Sequence, residues 1–135
     1  MKINSKKQPT FVQVKHYHSG TDVFVKISSI VSIERYYDVW FDIRDILMST
    51  YNFDSSTTQY NSFRVERSEY DNMMQKIGST GLFMHISDDV DVNVSEIISI
   101  YNINKYGAKI GMSNGRHYDI STKTLNELKD KLDLI

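Results

Sequence analysis

The charge balance of this 135-residue chain limits its function, because 16 Lys and Arg against 17 Asp and Glu leave no basic surplus for neutralising nucleic-acid phosphates. The absence of cysteine excludes disulfides, thiolate catalysis and cysteine-ligated zinc. The length and the 40% hydrophobic content suit one compact domain, and since no apolar run approaches the ~20 residues that span a bilayer, we expect a cytoplasmic protein without a membrane partner.

The first predicted unit spans residues 10–78 and follows a flexible polar tail at 1–9. Alternating apolar and polar residues predict antiparallel strands, because a period of two marks a half-buried strand. These predicted strands cover residues 11–15, 23–27, 30–33 and 63–65. A helix then begins after the N-cap Ser68 and ends at Gly78.

Residues 37–61 form an insertion that distinguishes the first unit from the second. Trp40, Ile43 and Leu47 are spaced for one face of a helix, with acidic residues near its start. The sequence therefore predicts a short extra helix at 38–48, followed by an exposed polar loop.

The second predicted unit spans residues 79–135 and repeats the same order of strands and helix. Asn114-Gly115 lies between two apolar stretches and predicts a β-hairpin with a type I′ turn, which needs positive φ angles. Ser121 is the predicted N-cap of a helix over 122–134, whose leucines fall on one face.

An internal repeat connects the two units. Residues 23–33 recur 67 positions later as residues 90–100, with six of eleven positions identical. The predicted fold class is α+β, with two tandem antiparallel β-sheet units, each closed by a C-terminal helix, packed together as one compact domain. The extra helix is inserted in the first unit.

Residues 83–132 combine an apolar strand, a Val-x-Val-x-x-Ile-x-x-Ile segment, an Asn-Gly hairpin and a Ser-capped helix. In this pattern the chain resembles the small flagellar FlbD-like family, which implies a fold rather than a reaction. Its overall build resembles the Thoeris anti-defence family of phages, whose members sequester cyclic ADP-ribose signals at subunit interfaces. That resemblance implies that Phe83 stacks on adenine and that Asn93 binds the polar atoms of the base.

Aromatic and arginine residues in and around the insertion are further candidates for ligand binding. Arg35, Arg64 and Arg116 could hold phosphates through paired hydrogen bonds, while Tyr37 could stack on a base. Aromatic residues also fill cores and interfaces, and Trp40 and Phe41 are candidate anchors for a protein partner. For Arg116, an ion pair with Asp119 or Glu96 is an equally good explanation.

Catalytic and metal-binding motifs are absent from the sequence. No nucleophile elbow, phosphate loop or triad order occurs, so we expect a protein that is not an enzyme and has no cofactor. His16 and His18 would share one face of a strand, but no third ligand accompanies them, and no metal site is predicted.

These observations favour a non-enzymatic phage or prophage protein that sequesters a small phosphate-bearing nucleotide signal at the interfaces of a homo-oligomer. One alternative is a phage or mobile-element protein-interaction module that inhibits or tunes a host protein. A third is a β-strand DNA-binding regulator, which the near-zero net charge disfavours.

Overall fold

The computed structural model describes residues 10–15, 17, 20, 22–36, 38–43, 62–66 and 70–132. The predicted tail at 1–9 and most of the predicted insertion lie outside these residues. The described strands are β1 (Phe11–Lys15), β2 (Asp22–Lys26), β3 (Ile30–Glu34), β4 (Val39–Ile43), β5 (Ser62–Val65), β6 (Phe83–Ser87), β7 (Val90–Asn93), β8 (Ile97–Asn104), β9 (Gly107–Met112) and β10 (His117–Ser121). The described α-helices are α1 (Tyr70–Gly78) and α2 (Thr122–Leu132).

The described strands form three antiparallel sheets. One has five strands in the order β5-β4-β3-β7-β6, one pairs β1 with β2, and one has the order β10-β9-β8. The predicted α+β class with antiparallel sheets is confirmed at this level. The sheets do not follow the predicted boundary at residue 79, because β6 and β7 join the strands of the first half, whereas β8, β9 and β10 form a sheet of their own.

Two hydrophobic cores lie on opposite faces of the five-stranded sheet. The first core packs Ile33 and Phe41 against the buried valines of β1 and β2 and against α1. The second core packs Val92 against β9, β10 and the buried leucines of α2. Ile33 is paired with Asp91, the neighbour of Val92, and successive residues of a strand point to opposite faces. The five-stranded sheet is therefore the middle layer of three.

The two copies of the repeated sequence have the same local structure. Residues 22–34 form β2, a 3₁₀ turn and β3, and residues 90–104 form β7, a 3₁₀ turn and β8. The register irregularity between Ile30 and Ser32 in β3 recurs between the equivalent residues of β8, Ile97 and Ser99. The copies agree in detail, although β3 and β7 pair with each other and their equivalents, β8 and β2, do not.

The predicted extra helix is wrong over the residues that the structure describes. Val39–Ile43 is strand β4, paired with β3 on one side and β5 on the other. Val39 and Phe41 are buried in the first core on alternate positions, as a strand requires, and the aromatic and β-branched composition favours this conformation. Residues 44–48, which completed the helical spacing, lie outside the described residues.

The predicted C-terminal helix and its cap are confirmed within the described residues. Ser121 Oγ accepts a hydrogen bond from the backbone N–H of Thr124 at 3.1 Å, and Leu125 and Leu128 are buried. No helix in the described ranges is long and apolar enough to cross a membrane.

The predicted β9–β10 hairpin is present, but its turn differs from the prediction. The N–H of Met112 donates to the carbonyl of Arg116 at 2.8 Å, which leaves a three-residue loop. Gly115 has a positive φ of 90°, whereas Asn114 does not adopt one. The loop is therefore a tight turn followed by a left-handed glycine rather than a type I′ turn.

Glycine is required at the start of β9. Gly107 has φ 146°, and a Cβ there would collide with the backbone carbonyl of Ile120 on β10. We expect Gly107→Ala to lower the free energy of unfolding by about 2 kcal/mol or more. Gly115→Ala is the matched control, because its positive φ of 90° is strained for alanine but no atom lies within 4 Å, and it should cost about 1 kcal/mol. Denaturant unfolding of the two variants measures the difference, and equal losses would contradict the close approach.

Candidate functional site

Arg35, a predicted phosphate ligand, forms an ion pair and hydrogen bonds within the chain. Its Nη1 lies 3.0 Å from Asp91 Oδ2, and the two side chains are 9% and 11% exposed. Its Nη2 lies 3.2 Å from the carbonyl of Asp88 and 3.2 Å from His85 Nδ1. The backbone N–H of Arg35 donates to the carbonyl of Asp89 at 2.7 Å. Arg35 therefore ties the end of β3 to the β6–β7 turn.

Arg64 has a similar structural position on β5. Its Nη2 forms a 2.6 Å ion pair with Asp38 Oδ1, and its guanidinium lies 3.5 Å from the centre of the Tyr17 ring. The N–H of Tyr17 also donates to the carbonyl of Arg64. The side chain connects the β1–β2 sheet to the edge of the five-stranded sheet, where a phosphate would have to displace both partners.

Arg116, the residue before β10, forms ion pairs with a different pair of carboxylates from those considered in the sequence. Its Nη2 lies 3.0 Å from Asp42 Oδ1, in an ion pair whose N–H is not aligned for a hydrogen bond, and its Nη1 lies 3.5 Å from Glu34 Oε2. Asp119 pairs instead with Lys109, at 2.6 Å. Arg116 thereby connects the three-stranded sheet to the five-stranded sheet.

Two further predicted site residues, Asn93 and Phe83, are neighbours in the structure, but Asn93 is held in the interior. Asn93 is fully buried: its Nδ2 donates to the carbonyls of Ser28 and Ile30, and its Oδ1 accepts from the N–H and hydroxyl of Ser95. Phe83 is its partner across the β6–β7 ladder and packs against the first core.

The two predicted interface anchors, Trp40 and Phe41, do not form a shared exposed patch. Phe41 has no exposed surface and belongs to the first core, so it is not available as a surface anchor. Trp40 is half-buried on β4, where it pairs with Glu34 and Arg64 in the two ladders. Tyr37 lies outside the described residues.

A chain of four oxygen atoms is buried between the five-stranded and three-stranded sheets. Ser32 Oγ lies 2.9 Å from Asp42 Oδ2 and 2.8 Å from the Tyr118 hydroxyl, which lies 2.7 Å from Glu34 Oε2. These three contacts need three protons, but the hydroxyls of Ser32 and Tyr118 supply two. A proton on one of the carboxyls would complete the chain.

Asp42 is the carboxyl that is suited to hold this proton. It is fully buried, and burial raises its pKa to about 6, against the opposing effect of Arg116. Burial also raises the pKa of the Tyr118 hydroxyl well above its ordinary value, so Tyr118 keeps its proton. Below about pH 6, where Asp42 is protonated, each of the three contacts has a donor and Arg116 balances the charge of Glu34. Above that pH the ionised Asp42 is the ion-pair partner of Arg116.

This arrangement makes stability depend on pH in a defined direction. Because the pKa of Asp42 rises on folding from 3.8 to about 6, its stabilising contribution is complete below pH 4 and is lost as pH rises through 6. Between pH 4 and pH 8, the unfolding free energy of the native chain should therefore fall by about 2 kcal/mol relative to that of Asp42→Asn. Denaturant titrations at both values measure it. Glu127→Gln on the exposed face of α2 is the control, and a pH-independent difference for Asp42→Asn would contradict the buried proton.

An open cleft with a volume of about 500 Å³ lies at the end of the three-stranded sheet, near the β8–β9 turn. The residues that line it include Asn102, Ile103, Tyr106 and Lys109, none of which the sequence singled out. Tyr106 is 78% exposed, and the Lys105 ammonium lies 5.1 Å from the centre of its ring.

Backbone geometry and charge distinguish this end of the sheet. Asn102 has a positive φ of 52° at a register irregularity of β8, a combination that is common at binding sites. Thr122 Oγ1 donates to the carbonyl of Lys105, which brings the turn next to the first residues of α2, including the exposed Lys123. We call Asn102, Lys105, Tyr106 and Lys123 the turn surface.

The fold itself matches a solved structure. No family model and no curated protein matches the chain. A structure from Bacillus cereus described as a LytTr DNA-binding domain superposes with a TM-score of 0.64 over 92% of this chain and 97% of that chain, at 14% sequence identity. The chain therefore has the fold of that LytTr domain.

The sequence pointed to charged residues but not to their roles. The arginines are separated from their carboxylate partners by 56 residues for Arg35 and Asp91 and by 26 for Arg64 and Asp38, and no local pattern reveals such pairs. The turn surface had a detectable signal, since Asn104-Lys105-Tyr106-Gly107 is a polar, glycine-containing turn between two apolar strands. An aromatic residue at its tip, beside a lysine, is the feature that could have identified it.

Proposed function

We propose that this protein binds double-stranded DNA. The observation that supports the proposal is the match of almost the whole chain to the fold of a protein described as a LytTr DNA-binding domain. This was the third of the functions considered from sequence, and it was disfavoured there because the net charge is −1. A net charge describes the whole chain, however, and an exposed group of cations can contact phosphates on a protein that has no basic surplus.

Part of the charge of this chain is taken up in ion pairs between carboxylates and arginines. Asp91, Asp38 and Asp42 form ion pairs with the three arginines at junctions between sheets and turns. Each ion pair removes one positive and one negative charge, so these pairs leave the overall balance at −1. For DNA binding, the local balance of exposed charges determines phosphate contacts.

The turn surface is the part of the described chain that best fits a nucleic-acid contact. Lys105 and Lys123 are exposed, and neither has an ion-pair partner among the described residues. Their ammonium groups could contact phosphates, and the Tyr106 hydroxyl could donate to a phosphate oxygen. The side-chain amide of Asn102 is exposed, and an asparagine amide can make two hydrogen bonds to adenine in the major groove.

Salt dependence and a charge-removing variant test this proposal together. We expect fluorescently labelled duplex DNA to bind with an affinity that falls as salt rises, because bound phosphates release counterions. Lys105→Ala should weaken binding and reduce the slope of log K against log salt by about 1. Fluorescence anisotropy over a salt series measures both quantities.

Lys76→Ala is the matched control for this experiment. Lys76 is an exposed lysine on α1, outside the turn surface, and its removal should leave affinity and slope unchanged. Equal effects of the two substitutions would show that the turn surface is not the contact. Binding that is absent from duplexes of varied sequence at low salt would overturn the proposed function itself.

Sequestration of a nucleotide signal stays a prediction from the sequence. The three arginines proposed as phosphate ligands would each have to break an ion pair with a carboxylate. The side-chain amide of Asn93 would have to break four hydrogen bonds in the interior. These contacts disfavour sequestration through the residues proposed for it. Titration calorimetry with cyclic ADP-ribose isomers distinguishes the two, because heat from one of them would restore the earlier hypothesis.

A further inference from the structure

The five-stranded sheet is assembled from two parts that come from separate segments of the chain, on either side of α1. Strands β5, β4 and β3 form one part, and strands β7 and β6 form the other. The pairing of β3 with β7 joins the two parts. Ser32, Ile33 and Glu34 are the β3 residues in that ladder. One edge-to-edge contact therefore makes one sheet from a group of three strands and a group of two.

The three-stranded sheet and the two-stranded sheet correspond to these two parts through the internal repeat, but they are not paired with each other. A shift of 67 residues converts the β3 copy of the repeat into β8 and the β2 copy into β7. The group β10-β9-β8 thus corresponds to β5-β4-β3, and the group β2-β1 corresponds to β7-β6. Among the described strands, β8 pairs only with β9, and β2 pairs only with β1. Each has an open edge where its repeat equivalent has a neighbour.

We propose that a second copy of this chain joins these edges, with β8 of one copy pairing with β2 of the other. The product is a second five-stranded sheet in the order β10-β9-β8-β2-β1, with the first three strands from one copy and the last two from its partner. Its register follows from the internal ladder by the same shift of 67: Ser99 opposite Val25, Ile100 opposite Phe24, and Tyr101 opposite Val23.

The pairing cannot form within one chain. The buried valines of β1 and β2 belong to the first core, on one face of the five-stranded sheet. The sheet that contains β8 packs against the second core, on the opposite face. Because the five-stranded sheet lies between them, β8 and β2 can meet only if they belong to different molecules.

Exposed hydrophobic side chains mark both open edges. Ile98 on β8 is 70% exposed, whereas its repeat equivalent, Val31, is fully buried. Val31 belongs to β3, yet it packs in the second core, which is the core of the strands that β3 joins. By the same geometry, Ile98 would enter the first core of the partner copy.

Phe24, the exposed aromatic residue on the β2 edge, would also be covered by the proposed pairing. Phe24 on β2 is 68% exposed and is the repeat equivalent of Asp91, which is 8% exposed beside Ile33 in the internal ladder. In the proposed sheet Phe24 would lie opposite Ile100, a half-buried residue that packs against the second core. Each copy would bury one exposed hydrophobic side chain of the other, which is the source of affinity that an edge contact needs.

Single-cysteine variants test the register directly, because the natural chain contains no cysteine. Residues paired across antiparallel strands have Cα atoms about 4.5–5.5 Å apart, within the range that a disulfide can bridge. We expect an oxidised mixture of Phe24→Cys and Ile100→Cys to yield a covalent dimer, and each variant alone to yield several-fold less. Non-reducing electrophoresis measures the yield. A mixture that cross-links no better than the separate variants would overturn the proposal.

A charge on the β8 edge tests the association without a covalent bond. Ile98→Lys would place an unpaired ammonium in the partner's core and should weaken self-association about tenfold or more in sedimentation equilibrium. Ile103→Lys is the matched control, because Ile103 is 58% exposed on the same strand but lies beyond the proposed ladder, and it should retain the association of the natural chain. Circular dichroism of both variants checks that the fold is intact. Equal association of the two variants, or a natural chain that stays monomeric at the highest soluble concentration, would contradict the pairing.

Discussion

The pairing of β3 with β7 is the contact on which the rest of the structure depends. It joins the first and second halves of the chain in one sheet, and that sheet supplies a face to each hydrophobic core. Val31 and Ile33, two residues apart on β3, enter different cores because the irregularity at Ile30 and Ser32 changes which face each residue meets. Loss of this ladder would therefore expose both cores at once.

Polar contacts reinforce this sheet at its junctions. Arg35 connects the end of β3 to the β6–β7 turn. Asn93 donates to the carbonyls of Ser28, in the 3₁₀ turn that precedes β3, and of Ile30, the first residue of β3. Ser32 and Tyr118 connect the five-stranded sheet to β10. A buried polar group destabilises a fold unless it is hydrogen-bonded, and satisfied groups of this kind fix which strands are neighbours. The arginines that resemble phosphate ligands in the sequence belong to this category.

The sequence predicts local structure well and long-range pairing poorly. The alternation of apolar and polar residues identifies β1, β2 and β7. Strands β1 and β2 bury every second residue, whereas all four residues of β7 are buried because it lies inside the five-stranded sheet. Helical spacing, by contrast, misassigns Val39–Ile43. Trp40 and Ile43 satisfy that spacing only together with Leu47, while Val39 and Phe41 satisfy the strand period by themselves. The repeat predicts equivalent segments correctly, but it cannot indicate that β7 leaves its own half to pair with β3. That choice depends on which core each strand covers.

Strand β8 shows how one element can support two kinds of contact without conflict. Its first residues, as far as Tyr101, present the open edge, and the positive φ of Asn102 ends the regular ladder. The turn surface begins at that residue, so a partner on the edge would leave it uncovered. Two copies joined through β8 and β2 would hold two turn surfaces at a fixed separation. DNA that spans both would then bind the second surface at a high effective concentration, so that a weak edge contact and a weak DNA contact would strengthen each other.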